Sequence, residues 1–328
     1  RYTLPVVSEP DLDAASDNGS SSSDNLTSNS TLTLTGSAPV GASIQLSIAT
    51  RSSDSDTNSS TGSWTDTGSA CTANTTTGAW SCTTGALAAG NYKIRATAVT
   101  TLDGTTDTQT SSTALVLSVS GTATKLSVTT QPVGAGAGAA LAIQPVVKVL
   151  DANDLVVESS TASITATASG GTLGGTATVS AVSGVATFTN LTFAGTTSTN
   201  YTLSFASTGL TSATSSNFTV TVGTATSLVL TTSASGATYG TAFTTQPVVT
   251  VRDAGGNTVT SETGTVTATL SAGSVVGTGT ATLSSGVATF SGLGITGTPG
   301  SFTVTYTKGS LTTSQSITLS KATQTTAF

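Results

Sequence analysis

The chain has 328 residues, a net charge of −6, 7% charged residues and 36% hydrophobic residues. This balance is too apolar for disorder driven by charge repulsion, and the negative charge excludes the basic surface that binds nucleic-acid phosphates. The absence of histidine removes the usual general base and the commonest transition-metal ligand. No apolar run is long enough to insert into a membrane. We therefore expect a folded protein that is not an enzyme and that binds no nucleic acid.

Residues 1–30 are acidic and rich in serine, and they are predicted to be a lead-in segment between domains. The segment carries hard oxygen ligands within a short stretch that includes a glycine: Asp11, Asp13, Asp17, Asp24 and Asn25. Calcium binds six to eight such oxygens without strict geometry. Two interpretations stay open, namely a calcium site at a joint between domains, or a solvated acidic linker that binds no ion.

Residues 31–120 are predicted to form a first β-sandwich. Three segments alternate hydrophobic residues with small polar ones, an arrangement typical of strands that bury one face. Their hydrophobic positions are Ile44, Leu46 and Ile48; Tyr92, Ile94, Ala96 and Ala98; and Leu115, Leu117 and Val119. β-branched residues lose rotamer freedom in helices and fit a pleated surface. We therefore expect almost no helix.

The two cysteines lie on either side of a stretch that is typical of a turn. Cys71 and Cys82 flank residues 74–78, which have the sequence N-T-T-T-G. This arrangement predicts a disulfide across the two strands of one hairpin. The alternative is a pair of reduced thiols.

The aromatic residues of the first domain have two interpretations. Trp64, Trp80 and Tyr92 are best interpreted as side chains that fill the core or pack beside a hairpin. The alternative is a platform on which a carbohydrate stacks.

Residues 121–321 contain the same unit twice. Three segments recur 102 positions later: 122–124 at 224–226, 144–147 at 246–249, and 183–188 at 285–290. A constant offset of this size indicates a duplicated unit of about 100 residues, the size of one immunoglobulin-like sandwich. We predict an all-β tandem array of three immunoglobulin-like β-sandwich domains, with the second at 121–222 and the third at 223–321.

The predicted boundaries leave only one or two residues between neighbouring domains. Such short connections indicate a semi-stiff rod, about 110 to 120 Å long if each sandwich measures about 35 to 40 Å. Residues 322–328 are predicted to be the first strand of a further domain, or a strand donated to a neighbouring subunit.

At residues 253–259 (D-A-G-G-N-T-V) and 286–290 (G-V-A-T-F), the third domain resembles the bacterial Ig-like domains of the invasin/intimin type. The second domain keeps G-V-A-T-F at 184–188 but has D-A-N-D-L-V at 151–156, without the Gly-Asn pair. Glycine and asparagine both tolerate the positive φ that tight turns require. The turn geometry of the second domain therefore stays open.

The first domain resembles a different group, the Ig-like repeats of large bacterial biofilm adhesins. The resemblance rests on residues 10–19 (P-D-L-D-A-A-S-D-N-G), 24–27 (D-N-L-T) and 85–92 (G-A-L-A-A-G-N-Y). It implies an extracellular location at the cell surface. It also implies an interdomain calcium site with ligands from Asp13, Asp17, Asp24 and Asn25, which would stiffen the joint.

Three hypotheses of function follow. The leading one is a stalk segment of a bacterial surface adhesin, whose partners are neighbouring domains or subunits of the same protein. The second is a self-assembling surface fibre or surface-layer subunit that polymerises by strand exchange at its termini. The weaker third is a carbohydrate-binding module. A glycan or another host-surface molecule is an open ligand class to which the sequence assigns no residues.

Overall fold

The computed structural model describes residues 6–19, 21, 24–51 and 63–321. Across these residues the chain contains strands and no helix, and hence no helix that could cross a membrane. The buried hydrophobic side chains form three separate clusters, one in each predicted domain. The predicted tandem array of immunoglobulin-like sandwiches is confirmed. The prediction for residues 322–328 falls outside the described residues.

The first domain consists of two sheets. Strands β1, β3 and β6 form one sheet, and β2, β9, β7, β4 and β5 form the other, with β8 paired to β7. Ile44, Ile94 and Leu117, which were predicted to face the core, are at most 1% exposed. The strands are β1 (Asp11–Leu12), β2 (Leu26–Thr27), β3 (Thr33–Ser37), β4 (Ser43–Thr50), β5 (Thr65–Thr72), β6 (Ala79–Thr83), β7 (Gly90–Leu102), β8 (Thr105–Thr110) and β9 (Leu115–Val119).

Residues 6–19 and 24–30 belong to the first sandwich, which differs from the predicted separate lead-in at 1–30. Strand β1 pairs with β3, and β2 pairs in parallel with β9. Val7 and Leu12 are 2% and 5% exposed and lie in the first core. Both strands are only two residues long, which is too short for an alternating pattern to appear in the sequence. The acidic residues are therefore carried by a folded surface and not by a linker.

Cys71 in β5 and Cys82 in β6 form a disulfide, with their Cα atoms 5.6 Å apart. The two strands lie in different sheets, which corrects the prediction of a bond within one hairpin. The turn between the strands is held by Asn74, whose side-chain oxygen accepts hydrogen bonds from the N–H groups of Thr76 and Thr77. The disulfide therefore joins the two sheets of the first domain.

Trp80 and Tyr92 pack into the first core, with 3% and 9% exposure. Trp64 is half-buried, and the guanidinium of Arg95 lies over its ring, 4.4 Å from the centroid. A sugar stacks on an open aromatic face. Trp80 and Tyr92 have no such face, and Arg95 covers one face of Trp64. The structure thus gives no support to the carbohydrate platform.

The second domain has three groups of paired strands: β10-β11-β15, β14-β12-β17-β18 and β13-β16. Its strands are β10 (Lys125–Thr130), β11 (Val146–Leu150), β12 (Ser163–Ala168), β13 (Thr172–Gly174), β14 (Thr178–Ser180), β15 (Val185–Thr187), β16 (Thr192–Ala194), β17 (Leu203–Ala206) and β18 (Ala213–Thr214).

In the third domain the corresponding strands join into one seven-stranded sheet, β19-β20-β24-β23-β21-β26-β27, beside the pair β22-β25. Its strands are β19 (Ser227–Thr232), β20 (Val248–Arg252), β21 (Thr265–Leu270), β22 (Ser274–Val276), β23 (Thr280–Ser284), β24 (Val287–Thr289), β25 (Gly294–Thr296), β26 (Gly300–Lys308) and β27 (Leu311–Leu319).

The recurring Q-P-V-V segment has the same structural role in both repeats. The side-chain amide of Gln144 donates to the carbonyl of Leu191, and its oxygen accepts from the N–H of Leu191, both at 3.0 Å. Gln246 makes the same pair of bonds with Leu293. Each glutamine therefore ties the start of one strand to a distant loop, which explains why it recurs beside the buried valines.

The cores of the two repeats differ at one aromatic position. Tyr306 is fully buried and its hydroxyl has no hydrogen-bond partner within the described residues, whereas Phe205 occupies the corresponding place in the second domain. The ring centroids of Tyr306 and Phe290 are 5.4 Å apart, as are those of Phe205 and Phe188. The Tyr306 hydroxyl therefore bears a desolvation cost that Phe205 avoids.

Replacing Tyr306 with phenylalanine is expected to stabilise the third domain by about 1 kcal/mol, because the unpaired buried hydroxyl is removed while the ring stays in place. The matched variant Phe205→Tyr should destabilise the second domain by about 1 to 3 kcal/mol. Scanning calorimetry of both variants beside the wild type measures the two changes. A loss of stability in Tyr306→Phe would show that the hydroxyl has a stabilising partner.

Candidate functional site at the joints between the domains

The joint between the second and third domains is held by the loop that follows β20. Asp253 is 3% exposed, and its carboxylate accepts hydrogen bonds from the N–H groups of Gly223 at 2.8 Å and of Gly255 and Asn257 at 2.9 Å. The N–H of Thr221, two residues before Gly223, still donates to Ala135 of the second domain. The chain therefore passes from one domain to the next at residue 222, without a free linker.

The ionisation of Asp253 supports this joint. Burial acts to raise the pKa of its carboxyl, but hydrogen bonds from Gly223, Asn257 and Gly255 together hold the pKa below its usual value. The group is therefore ionised at neutral pH, where its hydrogen bonds are charge-assisted. Because the pKa of Asp253 is lower in the folded state than in the unfolded state, its ionised carboxylate stabilises the fold at pH values above the unfolded-state pKa. This stabilisation is lost as the pH falls through the folded-state pKa.

Asn257 carries the contact across to the preceding domain. Its side-chain oxygen accepts from the N–H of Thr197, and its amide donates to the carbonyl of Gly195, both at 2.9 Å. We call Asp253 and Asn257, with their partners Gly223, Gly195 and Thr197, the second clasp. Both hydrogen-bonding groups of the Asn257 amide are used between domains.

The first clasp joins the first and second domains. Asp151 is fully buried, and its carboxylate accepts from the N–H groups of Gly121 at 2.7 Å and of Asn153 and Leu155 at 2.9 Å. The side-chain amide of Asn153 donates to the carbonyl of Ala89 in the first domain at 3.2 Å. An aspartate thus binds the linker and an asparagine binds the preceding domain at both joints.

The turn geometry left open for the second domain matches that of the third. Gly256 has a φ of +80°, and Asp154 takes the same place with a φ of +66°. The backbone N–H of Asp151 donates to Leu155 as that of Asp253 donates to Asn257. Asn257 itself is not among the residues of positive φ. Positive φ therefore explains the glycine of the motif, whereas the asparagine serves the interdomain contact.

Small residues let the second and third domains approach closely. A Cβ on Gly255 would collide with the carbonyl oxygen of Gly195, and a Cβ on Gly138 would lie 2.7 Å from that of Ala254. Glycine is required at these points because a side chain on either residue would collide with the neighbouring domain.

The five predicted calcium ligands lie in the first domain, on strand β1 and in the turns that follow it. Asp11 is exposed on β1, Asp13 accepts a hydrogen bond from the N–H of Ala15, and Asn25 has a φ of +54°. The carboxylate of Asp24 accepts from the N–H groups of Ser21 and Leu26. Within the described residues, no three histidine, cysteine or acidic side chains form a group that could hold a metal ion.

Asp17 differs from the other four. It is 6% exposed, and neither of its carboxylate oxygens has a hydrogen-bond partner in the described chain. Burial raises the pKa of this carboxyl, and the nearby carboxylate of Asp24 raises it further. The backbone N–H groups of Asn25 and Gly19, which lie nearby but outside hydrogen-bond geometry, offset part of the rise. This is a charge that the folded first domain accommodates at a cost.

Glu158, from the second domain, lies close to Asp24 and Leu26 around Gly19, which the sequence did not predict. It lines a small cleft together with Gly19, Leu26 and Ser120. The corresponding position of the third domain, 102 residues later, is Thr260. The only signal in the sequence was that the second domain has an acidic residue, Glu158, where the third has Thr260.

The raised pKa of Asp17 predicts that the stability of the first domain depends on pH when a chelator is present. Between the ordinary value of 3.8 and the raised folded value, the folded state binds more protons than the unfolded state. The stability of the first domain should therefore fall as the pH rises through this window, and Asp17→Asn should remove that loss. Denaturant unfolding followed by tryptophan fluorescence measures both proteins, and parallel pH profiles would contradict the prediction.

Neither a protein-family model nor a curated protein matches the chain. Among solved structures, the I9–I11 tandem from titin is 10% identical, with 90% of this chain and 95% of that chain covered and a TM-score of 0.30. An E-to-A variant of titin domains I67–I69 is 10% identical, with 98% and 100% covered and a TM-score of 0.26.

A glycosyl hydrolase family 2 member from Bacteroides cellulosilyticus DSM 14838 is 11% identical, with a TM-score of 0.30 and 57% of this chain covered. The matched part spans 24% of the hydrolase chain. Likenesses of this strength carry no argument on function, and the fold rests on the strands and cores described above.

Proposed function

We propose that this chain is a structural array, a stalk segment of a bacterial surface adhesin that holds a binding region away from the cell. The observation that carries the proposal is the pair of clasps, each of which fixes the linker and the preceding domain through one aspartate and one asparagine. Domains held in series without free linkers keep whatever lies at one end of the array at a fixed distance from the other end.

The disulfide supports an extracellular location. Disulfides form and persist in oxidising compartments and are rare in the cytosol. The Cys71–Cys82 bond joins the two sheets of the first domain. A domain of about 100 residues has a small core. The crosslink therefore adds stability that the core alone does not supply.

Electron microscopy tests the array, and surface labelling tests the location. Negative-stain images of the purified chain should show discrete rods about 110 to 120 Å long. Antibodies against the first and third domains should label intact cells of the source organism. Compact, variably bent particles would contradict the array, and labelling only after cell lysis would contradict the surface role.

One observation favours the second candidate, a self-assembling fibre or surface-layer subunit. Strand β27 lies at the edge of the seven-stranded sheet, and residues 311–319 contain neither charge nor proline. Edge strands without such features pair readily with other chains. Long periodic filaments in the same images, lost when a lysine replaces Ser314 or Ser316, would favour this candidate over a monomeric stalk.

A further inference from the structure

The second domain contacts the third through a loop at its far end. The N–H groups of Ala137 and Gly138 donate to the carbonyls of Thr221 and Phe193, at 3.0 and 2.8 Å, and these bonds fix the loop at the end of the domain. A Cβ on Gly138 would lie 2.7 Å from the Cβ of Ala254 in the third domain. The loop is therefore part of an interface between two domains of the chain.

The far end of the third domain has the same loop, 102 positions later. The N–H groups of Tyr239 and Gly240 donate to the carbonyls of Ser320 and Ile295, both at 3.0 Å. A Cβ on Gly240 would meet no atom of the described residues within 4 Å. The surface that touches a neighbouring domain at the second joint thus recurs here, and the described part of the chain does not cover it.

The carbonyl that accepts the asparagine of the second clasp also recurs. Gly195 accepts from the side-chain amide of Asn257 at 2.9 Å, and Gly297 stands 102 positions after Gly195. A Cβ on Gly195 would lie 2.7 Å from Cζ of Tyr201, and one on Gly297 would lie 3.2 Å from Cζ of Phe302. Each glycine therefore lies against an aromatic ring at the same place in its domain.

One donor of the second joint does not recur at the far end of the third domain. The N–H of Thr197 donates to Asn257, whereas Pro299, 102 positions after Thr197, has no N–H. The first clasp shows that a carbonyl is sufficient. Within the described residues, Asn153 contacts the preceding domain by one hydrogen bond, to the carbonyl of Ala89 at 3.2 Å.

Tyr239 adds a side chain that the corresponding loop of the second domain lacks. It is 48% exposed, whereas Ala137 at the matching position is 3% exposed. Ala137 lines a cleft of about 560 Å³ beside the second joint, together with Gly223 and Val259. At a joint built in the same way, the ring of Tyr239 would fill this cleft. Tyrosine is enriched at interfaces because its ring buries a large area while its hydroxyl reaches water.

We propose that Tyr239, Gly240 and the carbonyl of Gly297 form a docking surface for a further immunoglobulin-like domain, in series with the third. The inference rests on the proposed array and names the partner at its third joint. That partner resembles the second and third domains in its chemistry: a buried aspartate that binds the linker, a side-chain amide that donates to Gly297, and a small residue opposite Gly240.

A chain extended after Lys321 by a second copy of residues 223–321 supplies such a partner as the probe. Spin labels at Thr282 and at its counterpart in the added copy should give a single narrow distance. Tyr239→Ser in the original third domain should broaden it. The matched control is Val229→Ser, which changes an exposed apolar residue of β19 and should keep the distance narrow. A broad distance in the extended chain, or no effect of Tyr239→Ser, would overturn the proposal.

Nitration by tetranitromethane identifies what covers Tyr239. The other tyrosines of the described residues are buried, namely Tyr92, Tyr201 and Tyr306. Tyr239 should therefore be nitrated in the chain without the added copy, and several times more slowly in the extended chain, because the docked surface reacts only when the joint opens. Equal rates would contradict docking. Protection that grows with the concentration of the unextended chain would place a second copy on the surface and would also overturn the proposal.

Failure of this inference is distinguishable from failure of the array. Spin labels at Ser180 and Thr282 report the second joint in the same extended chain. If their distance is narrow while that to the added domain is broad, only the docking surface is wrong. If both distances are broad, the array is wrong.

Discussion

Replacing Asp253 with alanine is expected to destabilise the third domain by about 3 kcal/mol or more and to release it from the second domain. The carboxylate is 3% exposed and accepts hydrogen bonds from three backbone N–H groups and the Asn257 amide. Each buried donor left without its partner costs about 1 kcal/mol or more. The linker N–H of Gly223 is among them, so the fold of the loop and the joint are lost together.

Hydrogen exchange of peptides from β20 and β24 measures the loss in the third domain. The matched variant is Asp151→Ala, which removes the equivalent carboxylate from the first clasp. It should destabilise the second domain and leave exchange in the third unchanged. A change of less than about 1 kcal/mol in Asp253→Ala, or the same pattern of exchange in both variants, would show that the two aspartates are not the centres of separate joints.

Loss of the disulfide is the second large effect. The double variant Cys71→Ser, Cys82→Ser is expected to destabilise the first domain by about 3 kcal/mol, because the bond closes a loop with a sequence separation of 11 residues. The bond also joins two sheets that share a single core, so the sheets should separate more readily without it.

Tryptophan fluorescence reports this domain alone, since Trp64 and Trp80 are the two tryptophans of the chain. Urea unfolding followed in this way should show a lower midpoint for the double variant, and reducing agent should lower the wild type to the same value. The second and third domains, followed by hydrogen exchange, should be unaffected. Equal midpoints with and without the bond would mean that the core alone holds the sheets together.

The sequence predicted the domain array and the strands around residues 44–48, 92–98 and 115–119, because strands of a sandwich alternate between a buried and a solvent-exposed face. The repeat at an offset of 102 residues then placed two domains of the same fold in series. The place of residues 6–19 in the first sandwich was not predicted, because Val7 and Leu12 are single buried residues beside two-residue strands. An isolated apolar residue carries no periodic signal.

The joints could not be predicted because they depend on where one domain lies relative to the next. Asn257 was attributed to a turn, yet its amide binds Gly195 and Thr197, which lie 62 and 60 positions earlier in the chain. Glu158 likewise meets Asp24 and Leu26 only once the two domains are docked. Local backbone propensity explains why a glycine occupies position 256, where φ is +80°. The same propensity contains no information on contacts between domains.

Pulsed electron paramagnetic resonance tests most directly whether the clasps hold neighbouring domains in one orientation. Spin labels at Ser180 and Thr282, exposed positions at matching places in the two repeats, report the second joint. We predict a single narrow distance in the wild type that broadens in Asn257→Ala, because that variant loses both bonds to the preceding domain. A broad distribution in the wild type, or an equally narrow one in the variant, would contradict the claim.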